Sequence, residues 1–255
     1  MAPSVAILGS GNMAFQLLTA FDKADVKLVG LISRDLTQGA ETIEKTKARC
    51  ELVGGRNLTD LETDIIILAV PDDSIEEVLR FYQFNPDHVV VHTSGAEPMS
   101  SITHPRSGVF YPLQTFTWGE PVDFSKIPIL IEAMSEDVER MLWNLAGEVS
   151  PNVQVMSSTA RLKVHVAAVL VSNFTNHMFH RAEKWLAEQD QTLEILYPLI
   201  EEQWAKAKRL GTAKAQTGPA VRNDKRTMVR HEKLILDPHL KELYRLISED
   251  IQRLT

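Results

Sequence analysis

Val5-Ala6-Ile7-Leu8-Gly9-Ser10-Gly11-Asn12-Met13-Ala14 runs from four apolar residues through two glycines into a helical pattern carried by Leu17, Leu18 and Ala20. This is the order of a buried strand, a tight glycine turn and a helix N-terminus. Gly9 permits the turn, Gly11 lets a ligand approach the backbone with no Cβ in the way, and Ala14 lets helix and strand pack closely. The free N–H groups and positive dipole end of the helix suit a diphosphate. A glycine pattern of this kind arises often by chance, so its weight depends on the strands and helices downstream of it.

A second strand is expected over Val26-Lys27-Leu28-Val29-Gly30-Leu31-Ile32, ending at Ser33-Arg34. Where an NAD-preferring site places a carboxylate for the ribose 2′-OH, this chain has a hydroxyl and a guanidinium. A carboxylate would repel a 2′-phosphate, whereas Arg34 can grip one with paired charge-assisted bonds, which favours NADP(H). Two other readings stay open. Asp35 could serve a ribose if the register slips, or Arg34 could be a solvated loop residue with Asp35 as a helix cap.

Asp64-Ile65-Ile66-Ile67-Leu68-Ala69-Val70 is the continuous apolar run of a strand buried on both faces. Pro71-Asp72-Asp73-Ser74 stops it and starts a helix through Ile75, Val78 and Leu79. Val89-Val90-Val91 leads into His92-Thr93-Ser94-Gly95, and further strands are expected at Val109-Phe110, Ile127–Ile131 and Val153-Gln154-Val155, with a helix over 135–147. The ends Ala69-Val70-Pro71 and His92–Gly95 should flank the crevice where such sheets bind cofactors. The alternation predicts a mostly parallel, doubly wound sheet of the Rossmann type over 1–156, and hence an α/β fold.

Beyond Ser157 no strand pattern remains, so 157–255 is expected to be an all-helical domain for substrate binding and dimerisation. Ser158–Ala187 reads as one long helix, apolar nearly all round from Val164 to Phe174 and therefore expected to be buried on several sides. Helices are also expected over 192–210, 219–236 and 238–253, with Thr217-Gly218-Pro219 and Asp237-Pro238 as starts. A long buried helix in a small domain suggests cover by a second subunit, a homodimer. At about 100° per residue, Arg161, His165, Ser172 and Asn176 share one stripe, with Asn173 beside it. Buried donors must be satisfied, by a substrate, by an internal network or across a subunit seam. Arg222, Arg226 and Arg230 recur at spacing four and could hold an acidic substrate or simply form a solvated face.

The 255 residues carry a net charge of −7, which argues against nucleic acid as a main partner. No stretch is long enough for a membrane span and no secretory leader is apparent, so a cytoplasmic location and no membrane partner are expected. The single cysteine, Cys50, leaves no pair for an internal disulfide or a CxxC metal site, and no metal is expected.

Several strings together resemble one family nearly end to end: Leu8–Met13, Ala69-Val70-Pro71-Asp72-Asp73, His92-Thr93-Ser94-Gly95-Ala96, Tyr111-Pro112-Leu113-Gln114-Thr115-Phe116, Asn173-Phe174-Thr175-Asn176-His177 and Gln216–Asp224. The family is the Rossmann-like NADP oxidoreductases with an uncharacterised helical C-terminal domain, relatives of pyrroline-5-carboxylate reductase, ketopantoate reductase and 6-phosphogluconate dehydrogenase. The resemblance implies cofactor contacts at Gly9, Ser10, Gly11, Asn12, Met13, Ser33, Arg34, Ala69, Val70 and Pro71, the nicotinamide near His92, Ser94 and Gly95, and a homodimer built on the helical domains. Two departures stand out. Tyr111 replaces a His found before the proline in many members. The catalytic Lys with Asn four residues later, seen in hydroxyacid dehydrogenases and ketopantoate reductases, becomes Lys163 followed by Ala167, so the ketopantoate reaction does not transfer.

The expected function is an NADPH-dependent reductase of a small carbonyl or imine that bears a carboxylate. His165 is the first candidate proton donor and Tyr111 the second. Ser94, Asn173 and Asn176 would position the substrate, and Arg222 would hold its carboxylate. Two alternatives are a non-catalytic NADP-binding sensor or scaffold and, ranked lower, a deazaflavin-linked NADP reductase.

Overall fold

The computed structural model describes residues 3–254, which form two compact units that divide between Thr175 and Asn176. The first unit begins with β1 (Val5–Leu8), α1 (Asn12–Lys23), β2 (Leu28–Ile32), α2 (Leu36–Thr46), β3 (Glu51–Val53), β4 (Ile65–Leu68) and α3 (Ile75–Phe81). It continues through β5 (Val89–His92), β6 (Ser107–Pro112), β7 (Ile129–Ala133), α4 (Glu136–Val149), β8 (Val153–Val155) and α5 (Ser158–Val169). A π-helical turn, Leu170–Phe174, leads from α5 into α6 (Thr175–Ala187). The second unit also holds α7 (Tyr197–Leu210), α8 (Thr212–Ala215), α9 (Lys225–Leu234) and α10 (Pro238–Leu254).

The eight strands form one sheet in the order β3-β2-β1-β4-β5-β6-β7-β8. All neighbours are parallel except β6 and β7. The first six positions are the doubly wound order in which the crossover direction reverses at β1. Side chains alternate between two cores. Val5, Ile7, Ile65, Ile67, Val89 and Val91 pack toward α1 and α4, while Ala6, Leu8, Ile66, Leu68 and Val90 pack toward α3. Leu8 lies beside both Ile32 and Leu68, Leu68 beside His92, and His92 beside Val109. The carboxyl ends of β1, β2, β4 and β5 therefore finish in one row.

β7 runs back against β6, so the connecting segment 113–128 must reverse the chain. Buried Gln16 of α1 holds it: its amide donates to the Thr117 and Glu120 carbonyls at 2.9 and 2.7 Å and accepts from the Val122 N–H at 3.1 Å. The edge strand β3 has no counterpart among the strands expected from sequence, because its short Glu51–Val53 run is half exposed and lacks the apolar signature of an interior strand.

Three expectations for the helices change. Residues 219–236 do not form one helix. Gly218 and Asn223 take positive φ (112° and 50°), and α9 starts only at Lys225, where Asp224 accepts from the Thr227 N–H at 3.0 Å. Arg222 therefore stands on the preceding turn, exposed to solvent, and the row of three arginines on one helix face does not exist. The π turn adds a residue within the long helix, so spacing arithmetic that assumes 3.6 residues per turn fails beyond Val169. In the chain alone, Val166, Leu170, Val171 and Phe174 are each more than half exposed, not buried as their apolar run predicts. Asp237 does cap α10 as expected, accepting from the His239 and Leu240 N–H groups.

Candidate cofactor cleft and active site

A cleft of about 320 Å³ opens at the row of strand ends, between the turns after β1, β2 and β4. Gly9, Ser10, Gly11, Ser33, Arg34, Ala69, Val70 and Pro71 all line it. Gly9 has φ 121°, and a Cβ there would stand 2.3 Å from the Ala69 carbonyl oxygen, so only glycine lets β1 and β4 close here. Gly11 is different, because a Cβ on it would meet nothing within 4 Å. Gly11 also heads α1 with no side-chain cap, which leaves the first-turn N–H groups without intrahelical acceptors.

The floor of the cleft is tied together by short polar links. The Ser10 hydroxyl lies 3.2 Å from the Ser33 hydroxyl and donates to Gln38 Oε1 at 3.2 Å. Ser33 donates to the Asp35 carbonyl at 2.7 Å. Asp35 caps α2, its carboxylate accepting from the Thr37 and Gln38 N–H groups. Arg34 pairs with Glu77 at 2.6 Å, with both side chains more than half exposed. Such a surface pair is worth about 0–1 kcal/mol, so an incoming anion can take the guanidinium at little cost.

A second cavity of about 420 Å³, also in the first unit, is lined by Tyr111, Gln114, Thr115, His165, Ser172 and Asn173 among others. Tyr111 is the last residue but one of β6, and His165 sits midway along α5. The Tyr111 hydroxyl lies 3.2 Å from His165 Nδ1, so the two candidate proton donors form one pair. Burial pushes the Tyr111 phenol above its usual range, partly offset by the Arg161 cation, so it stays protonated near neutrality. Gly95 lies against this pair, and a Cβ there would come within 2.6 Å of His165 Nδ1 and of Tyr111 Cζ. Asn176 and Arg222 belong to the second unit.

Other candidates occupy different places. The Asn12 amide donates to the Phe116 carbonyl at 3.0 Å, and Met13 packs on the core beneath the sheet. Ser94 closes a turn, its hydroxyl accepting from the Ala96 and Glu97 N–H groups at 3.0 and 2.9 Å. Arg161 is buried and ion-paired with Glu132 at 2.5 Å, with both Nη atoms engaged inside the protein and its buried Nε left without a partner. His92 is wholly buried; its Nδ1 accepts from the Ser94 N–H and its Nε2 lies 3.3 Å from the Pro98 carbonyl. It holds the loop and has no surface to present to a nicotinamide.

Burial, with the Arg161 cation adding to it, lowers the His92 pKa from 6.5 to about 4. Between these values the unfolded chain binds a proton that the folded one refuses, so stability falls as the pH drops through this window. The expected loss is on the order of 3 kcal/mol between pH 6.5 and 4. Urea midpoints across that range should decline in the wild type, and His92→Gln should flatten this part of the curve.

Two family models match the chain. "NADP oxidoreductase coenzyme F420-dependent" covers residues 4–95, and a domain of unknown function, DUF2520, covers residues 127–251. No curated protein matches. Among solved structures, BF3122 from Bacteroides fragilis, assigned as an NADP oxidoreductase, is 30% identical over 99% of this chain and 98% of its own, with a TM-score of 0.86. The chain belongs to this NADP oxidoreductase family. TM1727 from Thermotoga maritima is 18% identical over 98% of this chain and 97% of its own, with a TM-score of 0.73. A reductive aminase from Aspergillus terreus, solved with NADPH, is 14% identical over 100% and 98%, with a TM-score of 0.69. These last two share the fold.

The cleft of this NADP oxidoreductase fits a nicotinamide dinucleotide on its own geometry. The uncapped first turn of α1 offers donors to a diphosphate, and the open space at Gly11 admits it. When bound, the nicotinamide supplies or accepts a hydride. Ser74, Val78 and Tyr82 also line this cleft and are not among the residues expected from sequence. They lie on and beside α3, and apolar helical spacing marks such residues as core rather than as a nucleotide wall. Among the described residues no helix is long and apolar enough to cross a membrane.

Proposed function

We propose that this protein is an NADPH-dependent reductase of a small carbonyl or imine substrate, with Tyr111 and His165 as its proton-donating pair. The observation that carries the reading is the 3.2 Å contact between the Tyr111 hydroxyl and His165 Nδ1 in a cavity of its own, against Gly95 in the turn after β5, the strand that pairs with β4, after whose end Ala69–Pro71 line the cleft. In the tautomer with a proton on Nδ1, the imidazole donates to the phenolic oxygen and leaves the phenol hydrogen free for the substrate oxygen or nitrogen. Asn173, Ser172 and Gln114 supply further polar contacts from the same cavity wall. The proposed substrate bears a carboxylate, and Arg222, exposed on the turn before α9, remains a candidate for an acidic ligand of the second unit.

The preference for NADPH rests on Arg34 and Ser33 at the end of β2, with Asp35 occupied as the cap of α2. Arg34→Ala should weaken NADPH binding about 10- to 100-fold, the worth of charge-assisted bonds to a phosphate, and leave NADH binding unchanged. Fluorescence titrations of wild type and variant with each nucleotide read this directly.

The protein acts as a homodimer in the cytoplasm. Supporting the dimer are the exposed apolar side chains Leu170, Val171 and Phe174, with Leu199, Trp204 and Leu236 in the second unit. Sedimentation at micromolar concentration should give a dimer, and a monomer would contradict this. The proposal as a whole is tested by following NADPH oxidation with a panel of 2-oxo acids, their ethyl esters and cyclic imines. Steady turnover of one class supports the reductase, and faster turnover of acids than esters supports the carboxylate contact. Absence of turnover across the panel, with NADPH still bound, favours a nucleotide-sensing protein.

A further inference from the structure

Arg161 is the largest fully buried side chain among the described residues, at 1% exposure, and nothing in the reductase reading uses it. Its Nη1 donates to Glu132 Oε2 on β7 at 2.5 Å, and its Nη2 donates to the Glu97 carbonyl at 2.5 Å and to the Ser158 hydroxyl at 3.3 Å. Ser158 in turn donates to Glu132 Oε2 at 2.7 Å and accepts from the Met99 N–H at 2.9 Å. Glu132 Oε2 therefore accepts from two donors at once. Burial raises its pKa, but the bonds from Ser158 and Arg161 outweigh this and hold the carboxyl below its usual range. A buried charge pair is expensive to desolvate and gives little net stability over an apolar pair, which makes its presence here worth explaining.

The position of the Glu97 carbonyl supplies the explanation. Residues 94–97 form one turn, closed by the Ser94 hydroxyl accepting from the Ala96 and Glu97 N–H groups. Gly95 at its apex is the residue pressed against His165 Nδ1 and the Tyr111 ring. Arg161 and His165 stand four residues apart on α5, hence on one face. One turn of chain is thus gripped at its end by Arg161 and abutted at its apex by the Tyr111–His165 pair.

We infer that Arg161, with Glu132 as its counterion, is a positioning residue that sets the Ser94–Glu97 turn against Tyr111 and His165 and so fixes the geometry of the proton-donating pair. The inference rests on the reductase reading for its catalytic consequence, but its structural content does not. The fork geometry matters because Arg can grip the carboxylate and the carbonyl together, whereas Lys presents a single ammonium. The charge matters as well. Around the phenol stand the Arg161 cation, which favours its ionisation, Asp72 after β4, which opposes it, and the His165 imidazole.

The test uses the full-length protein, with Arg161→Lys, the charge-neutral pair Arg161→Met with Glu132→Gln, and Tyr111→Phe as the spectral blank. Ultraviolet difference titration against Tyr111→Phe isolates the Tyr111 phenol from the other tyrosines. In the charge-neutral pair this phenol should ionise at a higher pH than in the wild type. Arg161→Lys keeps the charge, so it should move the titration little. Turnover with whichever panel substrate reacts should fall about tenfold in kcat in Arg161→Lys, with NADPH affinity unchanged, as expected for losing one charge-assisted grip. An unshifted phenol in the charge-neutral pair would remove the electrostatic part of the Arg161 role, and wild-type kcat in Arg161→Lys overturns the inference. If the charge-neutral pair does not fold, Arg161→Lys decides by kcat, or without a substrate by the His165 imidazole resonances. Resonances displaced from wild type support the inference, and unmoved ones overturn it. If no panel substrate reacts, the His165 resonances in Arg161→Lys still decide the Arg161 role while the reductase reading fails separately.

Discussion

Gly9→Ala and Gly11→Ala should fail in opposite ways although they lie two residues apart. Gly9→Ala should lose stability. Its φ of 121° is a conformation that L side chains rarely adopt, and its new Cβ would stand 2.3 Å from the Ala69 carbonyl oxygen. Backbone strain of this kind costs on the order of 1–3 kcal/mol. The clash adds a shift between two central strands, so a total of at least about 3 kcal/mol is expected, or a fall in Tm of about 6–12 °C. Gly11→Ala should fold as well as the wild type. Its φ of −86° and ψ of −163° suit alanine, and the new methyl meets no atom within 4 Å. Restricting the unfolded chain even favours the variant by about 0.5 kcal/mol. Its methyl, however, stands where the diphosphate must approach the first turn of α1. Losing two charge-assisted N–H bonds there should weaken NADPH binding about 100-fold or more. Thermal melts with NADPH titrations separate the two. Normal NADPH affinity in Gly11→Ala would mean that the cofactor does not approach this turn.

Tyr111→Phe should abolish most turnover while leaving NADPH affinity intact. The substitution keeps the ring, which is nearly buried among Val109 and Leu130, and removes only the hydroxyl that lies 3.2 Å from His165 Nδ1. Loss of a positioned general acid costs about 10²–10⁴-fold. His165→Ala should fall in the same range, since without the imidazole the phenol loses its partner. The double variant should be little worse than either single one, because groups that act as a unit are non-additive. Steady-state kcat with the reacting panel substrate reads all three. Multiplying effects in the double variant would mean that the two side chains act independently, and an unchanged kcat in Tyr111→Phe would remove the phenol from the chemistry.

The glycine turn and the apolar runs of β1, β4 and β5 make the sheet legible, because a strand buried on both faces leaves an unbroken apolar string. The row of cleft residues after β1, β2 and β4 comes from the same pattern, since a doubly wound order puts those strand ends together. The Tyr111–His165 pair is legible only as two separate candidates. Their contact depends on β6 and α5 meeting in space, 54 residues apart in the chain. Arg161 misleads because a polar residue at helical spacing from His165 looks like pocket lining, and Glu132, its partner, gives no local signal on β7. The row of arginines on 222–230 fails because the proline after Gly218 suggests a helix start that the positive φ values of Gly218 and Asn223 do not allow. Asn176 joins the polar stripe only by arithmetic that assumes 3.6 residues per turn, and the π turn at Leu170–Phe174 breaks that phase. His92 resembles a cofactor neighbour because it ends a central strand, yet its ring is spent on Ser94 and Pro98.

The most direct test of the central claim, that the cleft at the end of β1 and β2 holds NADPH, is a parallel fluorescence titration of the protein with NADPH and with NADH. Saturable NADPH binding in the micromolar range, with NADH at least about tenfold weaker, is the predicted result, given the worth of a guanidinium–phosphate contact. Equal affinities would contradict the role of Ser33 and Arg34, and no binding of either nucleotide would contradict the cleft itself.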